Sequence, residues 1–332
     1  MPRFIMPRRL ALAVAPAALL LALTLTAGPA AAQGSYPEKP IRMIVPYPPG
    51  GGTDVIARIV QDKLRQQIGQ TIVIDNRGGA AGAIGTEAVA KAEPDGYTVL
   101  FTLSSHTINP AIFQKLAFDT ERDFAPVATV ASLPQILVAN PGAGIDTVAQ
   151  MVAAAKAKPG QLTFGSAGNG SPSHFAGEMV NLSTGIQITH VPYRGGGPAV
   201  IDVVSGQIPL LWISIPAAAA QVKQGKLKAL AVSTAKRSAA FPDVPTLAEA
   251  GVAGVEVDSW FAVFMPAKTP QAIIDKWNAA INVAVRDPDI KEKLLQQGAE
   301  GVGGTPQDLG KVVATEVPLW KKVAAQARIK AD

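Results

Sequence analysis

Beyond residue 36 the chain alternates short apolar runs, glycine- or proline-rich turns and segments of helical period. Ile41–Val45 is a β-branched apolar run of strand length, as expected of a strand buried on both faces. Pro46–Gly52 then reads as a loop. Val55, Ile56, Ile59, Val60, Leu64 and Ile68 recur at helical spacing, and Gly69 closes that helix. Thr71–Ile74 predicts a second strand, Asn76–Gly82 a glycine-rich turn, and Ile84–Lys91 a helix stopped before Pro94. Tyr97–Thr102 is a third strand. The order β-α-β-α-β predicts a parallel sheet covered on both faces.

The same grammar returns further along. Gln135–Ala139 predicts a strand, and Asp146 is the expected cap of a helix carrying Val148, Met151, Val152 and Ala155 on one face. Strands are expected at Leu162–Gly165, Ile188–Val191, Pro209–Ile213 and Leu227–Val232. The helices between them start at Ser171-Pro172, Gly197-Pro198 and Pro216, with proline near the first helical position, where its missing N–H costs nothing. From about Phe241 the character changes. Trp260–Met265 is an aromatic, apolar strand; Thr269-Pro270 opens a helix with Ile273, Ile274, Trp277, Ile281 and Val285 on one face; Asp308–Ala327 reads as a final amphipathic helix. This tail has too little of its own to make a third domain. The economical reading is an α/β protein of two lobes joined by more than one chain crossing, with 36–133 and 241–332 in the first lobe and 134–240 in the second.

A chain of 332 residues suits two domains. Its apolar fraction of 48% against 17% charged residues excludes a disordered chain, and the absence of cysteine excludes disulfides, thiolate metal sites and cysteine nucleophiles. Met1–Arg9 is basic, Leu10–Leu25 almost wholly apolar, and Ala30-Ala31-Ala32 offers a small-residue cleavage site: the three parts of a secretory signal peptide over residues 1–32. An uncleaved anchor is the bland alternative, but the apolar run is short for a span. Arg8-Arg9 leaves both the general and the twin-arginine export routes open. Losing residues 1–32 removes three of 30 basic residues and none of the 25 acids, so the net charge falls from +5 to +2. The remaining basic residues form no stripe, which gives nucleic acid no electrostatic footprint. The expectation is an exported, soluble protein.

Candidate chemistry collects at the carboxyl ends of strands, where open α/β sheets bind ligands. Pro46-Tyr47-Pro48-Pro49-Gly50-Gly51-Gly52-Thr53-Asp54 joins a strand to a helix start. Its glycines let backbone N–H groups approach a ligand, and the helix end carries about half a positive charge, so the turn suits an anion. Thr53 or Asp54 is the expected N-cap. The three glycines could equally do no more than make a sharp turn. The segment lacks the Gly-Lys-Ser/Thr of a P-loop and the spacing of a dinucleotide loop. A second turn holds Ser166, Gly168, Asn169, Gly170, Ser171, Ser173 and His174, with Ser171 the natural cap. A third holds Tyr193, Arg194 and Gly195. Ser104 and His106 follow the third strand, and Ser214 follows Leu210–Ile213. Five weak segments from both lobes together describe a cleft between lobes that would take a small ligand.

Other chemistries read poorly. Ser166 near His174 invites a serine-hydrolase reading, but Phe164 breaks the nucleophile-elbow motif and no third member is identifiable. The histidines, His106, His174 and His190, show no metal-binding spacing, and His190 in its apolar strand reads as structural. No cofactor or metal is expected. Trp260 and Phe261 could wall the cleft or simply pack in a core.

Tyr36-Pro37-Glu38-Lys39-Pro40-Ile41 and Val45–Asp54 resemble the opening of the tripartite tricarboxylate transporter receptors, the Bordetella uptake gene (Bug) family. The likeness continues through Asp75-Asn76-Arg77-Gly78-Gly79-Ala80-Ala81-Gly82, Ala92-Glu93-Pro94-Asp95-Gly96-Tyr97-Thr98, Ser166-Ala167-Gly168, Val191–Pro198 and Phe241–Gly251, in order over essentially all of 36–328. The resemblance implies a type II periplasmic binding protein, with a mostly parallel sheet flanked by helices in each lobe, that closes on a small carboxylate. It implies a ligand carboxylate resting on the 47–54 and 166–171 turns, partly through ordered waters. On that basis the binding role passes to Tyr47, Gly50, Gly51, Thr53, Asp54, Ser166, Gly168, Asn169 and Ser171, then to His174, Tyr193 and Gly195. Pro48, Gly170, Ser104, His106 and Ser214 complete the expected cleft. The implied ligands are dicarboxylates, tricarboxylates, amino acids or aromatic acids. The implied partners are integral membrane transporter subunits, with a sensor kinase as the alternative partner and an exported enzyme acting on a small acid as the alternative class. A periplasmic monomer is expected.

Overall fold

The computed structural model describes residues 1–2 and 36–331, and the expected leader, residues 1–32, lies outside the described residues apart from its first two. Two mixed sheets, flanked by helices, are built by the chain from residue 39 onward. The first holds β1 (Ile41–Val45), β2 (Ile72–Asn76), β3 (Thr98–Leu103), β4 (Phe124–Ser132), β10 (Phe261–Pro266) and β11 (Glu300–Gly303), in the order β11-β4-β10-β3-β1-β2. The second holds β5 (Gln135–Ala139), β6 (Thr163–Ser166), β7 (Thr189–Pro192), β8 (Leu210–Ser214) and β9 (Lys228–Val232), in the order β7-β6-β8-β5-β9.

Pairs β1–β2, β1–β3, β6–β7 and β6–β8 are parallel, whereas β10 and β5 run antiparallel to both of their neighbours. The mixture has a simple origin. The parallel strands of each sheet end towards the other sheet. A chain that crosses from one sheet to the other therefore enters at that end and must run the opposite way. β4 passes through Leu133-Pro134 directly into β5, and the chain returns after β9 to enter the first sheet as β10. The two crossings meet in an antiparallel bridge, Pro134 to Asp258.

Helix α1 (Gly52–Ile68) buries Ile56, Val60, Leu64 and Ile68, an i, i+4 stripe, and ends at Gly69 with φ 82°. Its N-cap is Gly51, not Thr53 or Asp54. Both of those residues are buried in the first turn, where the Asp54 carboxylate reaches back to accept from the Gly50 N–H at 2.8 Å. α2 (Ala83–Ala90) and α3 (Ser105–Ile112) follow β2 and β3. α4 (Val148–Ala157) is capped by the Thr147 hydroxyl rather than by Asp146. α5 (Pro172–Thr184) starts at Ser171, whose hydroxyl accepts from the His174 N–H. α6 (Gly196–Ser205) and α7 (Ile215–Lys223) follow β7 and β8, and α8 (Gln271–Arg286) and α9 (Pro288–Gln296) lie between β10 and β11.

The last helix, α10 (Pro306–Ala327), ties the cores together. Leu309, Val313 and Val317 pack with Ile44, Leu100 and Phe264 of the first sheet. Trp320, Val323 and Ala324 pack with Leu137, Phe164 and Trp212 of the second. The tail expected to return whole to the first lobe is thus shared. Residues 245–257 also hang on the second sheet: Leu247, Val252, Val255 and Val257 join its core, and Val232 and Ser233 exchange backbone hydrogen bonds with Pro245, Leu247 and Val257.

Candidate functional site

A cavity of about 350 Å³ opens where the parallel strands of the two sheets end and the crossings pass. The start of α1 supplies Tyr47, Pro48, Gly51, Gly52 and Thr53; the start of α5 supplies Ala167, Ser171, Pro172 and Ser173; the end of β8 supplies Ile213 and Ser214. Leu103 ends β3. Leu133, Gln135, Ser259 and Phe261 come from the two crossings.

Three helix N-termini therefore face one space, each carrying roughly half a positive charge; Pro172 and Pro216 have no N–H and the Ile215 N–H is held by the Pro134 carbonyl, so the backbone donors on the wall are those of Gly52, Thr53 and Ser173. Hydroxyls of Thr53, Ser171, Ser173 and Ser214 stand beside them. None of the lining residues is Asp, Glu, Lys, Arg or His. Such a lining attracts an anion without committing a counter-charged side chain to it.

Each rim is braced from behind. Asp54 accepts from Gly50 N–H, from Arg58 Nε at 2.9 Å and from Asn76 Nδ2 at 3.1 Å, and Asn76 also holds the Tyr47 carbonyl. Burial pushes the Asp54 carboxyl up, but the bonds from Arg58, Gly50 and Asn76 outweigh it and hold the group below its ordinary value. The Tyr47 hydroxyl is paired with the Ser105 hydroxyl, so Ser105, rather than Ser104, serves the site. Gln135 Nε2 donates to Ser259 Oγ at 2.9 Å across the crossings.

On the second rim the loop is closed on itself. Ser166 Oγ accepts from the Gly168 N–H at 3.1 Å and lies 2.6 Å from His190 Nε2. The Ala167 N–H donates to Ser173 Oγ, Ser171 Oγ to the Gly168 carbonyl, and the Gly170 N–H to His174 Nδ1. His174 and His190 stack with ring centroids 3.6 Å apart. Burial pushes His174 down to about 3, helped by the adjacent His190, and pushes His190 down to about 4, so both imidazoles are neutral at ordinary pH.

Of the residues singled out in the sequence, Tyr47, Pro48, Gly51, Thr53, Ser171 and Ser214 line the cavity. The others stand behind it or away from it. Gly50 and Asp54 hold the first turn. Ser166 is fully buried beneath the second, so a Ser166–His174 dyad does not form; Ser166 meets His190 instead. Gly168, at φ 129°, faces the Tyr193 carbonyl, which a Cβ would approach to 2.9 Å; a side chain there strains the loop rather than filling the anion seat. Gly170 is buried and Asn169 is exposed, neither on the cavity wall. The Tyr193 hydroxyl donates to Asp202 at 2.7 Å, and Gly195 caps α6. Ser104 is buried behind β3. His106 lies inside the first core among Phe118, Phe124 and Phe264, its two ring nitrogens without a hydrogen-bond partner, and burial lowers it to about 3. Phe261 walls the cavity, whereas the Trp260 indole turns away to donate to Glu316.

Ser173, named in the second turn, also lines the cavity, whereas Gln135 and Ser259 went unrecognised as wall residues. Gln135 had a signal, a single polar side chain heading an otherwise apolar strand; Ser259 had none, because its place depends on the crossing. Among the described residues no cluster of His, Asp and Glu could hold a metal ion, and no helix is long and apolar enough to cross a membrane.

Two sheets linked by crossing strands, with a cavity at the facing strand ends, define a two-lobed binding protein. The comparisons agree. Residues 56–328 match the tripartite tricarboxylate transporter family receptor, and the chain belongs to that family. It is 38% identical to protein BugT of Bordetella pertussis over 309 residues, 92% of this chain and 95% of that one. A TctC solute-binding protein from Polaromonas superposes with a TM-score of 0.81 at 31% identity, over 88% of this chain and all of that one. The R. palustris protein Rpa4515, solved with adipate, superposes at 0.74 with 35% identity, over 89% and 99% of the two chains.

Proposed function

We propose that the chain is a periplasmic solute receptor that captures a small carboxylate between two lobes and delivers it to a tripartite tricarboxylate-type membrane transporter. One lobe is built on each sheet, with residues up to 133 and most of the tail in the first, and 134 to about 257 in the second. The observation that carries this reading is the meeting of three helix starts, drawn from both sheets, on one cavity with no charged side chain in its wall. Adipate in a relative of 35% identity supports a carboxylate ligand. The anion rests on the N–H groups of Gly52, Thr53 and Ser173 and on the Ser171 and Ser173 hydroxyls, with Tyr47 and Ser214 beside it. Because the seat is shared between lobes, the ligand itself favours closure.

The test is a thermal-shift screen of the purified chain against carboxylic acids, with neutral amides of the same shapes as controls. A ligand at a hundredfold excess over its Kd adds about 2.7 kcal/mol of stability. Gly51→Leu should still fold, at a cost of about 1 kcal/mol for a poorer helix cap, and should lose the shift. Gly51 sits at φ −73°, which any residue adopts, and its Cβ would meet only the Pro48 carbonyl, at 3.2 Å. A Gly51→Leu protein that binds acids as tightly as the parent would place the seat elsewhere.

A further inference from the structure

We infer a second ligand site: a cleft between the ends of α3 and α10 takes one alkyl chain with an anionic head, the chemistry of a free fatty acid. The site is separate from the seat between the sheets and does not depend on the carboxylate-receptor reading. The cleft holds about 380 Å³. Its apolar wall is Ala111, Ile112 and Phe113 at the end of α3, and Ala324, Ala325 and Ile329 at the end of α10. The Ala331 N–H donates to the Ile112 carbonyl at 3.1 Å, and Ile112 and Ile329 are both buried in the second core. The two ends are therefore fastened to each other, and the cleft between them is part of the packed fold. Arg328 takes the left-handed C-cap position of α10, φ 56°, which favours glycine, and the reversal there carries Ile329 to the cleft.

Charge selects the occupant. Every charged side chain on the cleft is a cation: Lys321, Arg328 and Lys330. All three are exposed, and none is in an ion pair among the described residues. From Val317 to Ala331 the sequence carries Lys321, Lys322, Arg328 and Lys330 and no acid. Three other cavities on the chain mix acids with bases. In the one that shares Lys321, Asp119 is already bound by Arg122 at 2.7 Å. The C-termini of α3 and α10 bring roughly one negative charge between them, so three cations leave the cleft with an excess of about two positive charges. An alkyl chain gains from burial against the apolar wall, while its anionic head stays at the rim among cations that remain hydrated. A cationic head would meet its own sign, and an anion without a chain would leave the wall in water. The cleft is concave and admits a single chain, which fits a free amphiphile rather than a bilayer surface.

Calorimetry with monomeric decanoate tests this. The Gly51→Leu protein, whose seat between the sheets is obstructed, should still bind decanoate. Affinity in that protein should rise roughly two- to fourfold per methylene from hexanoate to decanoate. Decanamide should bind more weakly by about tenfold or more, and reversing two cations with Lys321→Glu and Arg328→Glu should cost decanoate about as much. Ala325→Phe fills the cleft from an exposed helix position and should abolish binding. Hydrogen exchange at the Ile329 and Ala331 amides should slow when decanoate is bound, which places the ligand at this corner. No binding of decanoate to Gly51→Leu would overturn the inference, as would binding matched by decanamide. Affinity unchanged in the charge-reversed protein or in Ala325→Phe would overturn it too. Pelleting with phosphatidylglycerol vesicles, without binding of monomeric decanoate, would make the corner a membrane contact and not a ligand site.

Discussion

Glu316→Gln should remove a large part of the protein's loss of stability as pH rises from 5 to 8. Glu316 lies on α10 between Val313, which packs on the first core, and Trp320, which packs on the second. Its carboxyl oxygens accept from Trp260 Nε1 at 3.1 Å and from Trp320 Nε1 at 3.3 Å. Thr107 Oγ1 lies 2.6 Å from Glu316 Oε2 and 2.9 Å from the Ser104 carbonyl. A threonine has one hydroxyl proton, so both contacts are hydrogen bonds together only if Glu316 carries a proton of its own. Burial pushes the acid up to about 7, against the pull of the Thr107, Trp260 and Trp320 bonds, and the Asp258 carboxylate adds to the rise. The folded value thus stands above the ordinary 4.5. Between the two the folded chain holds a proton that the unfolded chain has released, so the stabilisation is complete below pH 4.5 and is lost as pH rises through about 7. At 1.36 kcal/mol per pH unit the whole loss is about 3.4 kcal/mol, of which about 2.5 falls between pH 5 and 8. Asp258, pushed by burial to about 6, adds a loss of the same sign. That part persists in Glu316→Gln apart from the mutual repulsion of the two carboxylates, so the difference between the two proteins reports Glu316 together with its coupling to Asp258. Urea denaturation of ligand-free protein at pH 5, 6.5 and 8 and constant ionic strength measures it. Parallel pH profiles for wild type and variant would refute a buried, protonated Glu316.

Two further substitutions separate packing from binding. Tyr193→Phe removes the hydroxyl bond to Asp202 and should cost about 1 kcal/mol in urea denaturation. Carboxylate affinity by calorimetry should stay unchanged, because Tyr193 is not on the cavity wall. His106→Leu replaces a buried ring with no hydrogen-bond partner by hydrocarbon among Phe118, Phe124 and Phe264. Stability should equal or exceed the parent's, and a loss of more than about 3 kcal/mol would show that the imidazole has a polar role in the core.

Much of this architecture was legible along the chain because local rules decide it. Strands β1, β3, β5, β6 and β8 carry enough β-branched and apolar residues to be recognised, and Gly69 and Ser171 mark helix ends by their own conformational chemistry. The glycine-rich turns at 50–52 and 168–170 announced anion-compatible backbone. What escaped was set by distant partners. β4 contains Pro126, which argues against a strand, yet the residue is tolerated at an irregularity in the register with β10. α3 contains Pro110, and β11 reads Glu-Gly-Val-Gly, a sequence with little strand preference of its own. Thr53 and Asp54 looked like caps because their type favours capping; only the folded turn shows that Gly51 takes the position and that Asp54 braces it from inside.

The division at the site has the same cause. Which turns present backbone donors follows from local residue types, since glycine, serine and proline govern φ, ψ and capping. Which side chains reach the cavity follows from packing between distant segments. His106, Ser166 and Tyr193 are polar residues at the right strand ends, but their rotations are set by neighbours far away in the chain, and they point into the core, under a loop and towards a helix. Gln135, Ser259 and Phe261 join the wall because two crossing strands pass there, a geometry that depends on both sheets at once. The absence of charged side chains in that wall is likewise a property of the two sheets together and of no single segment.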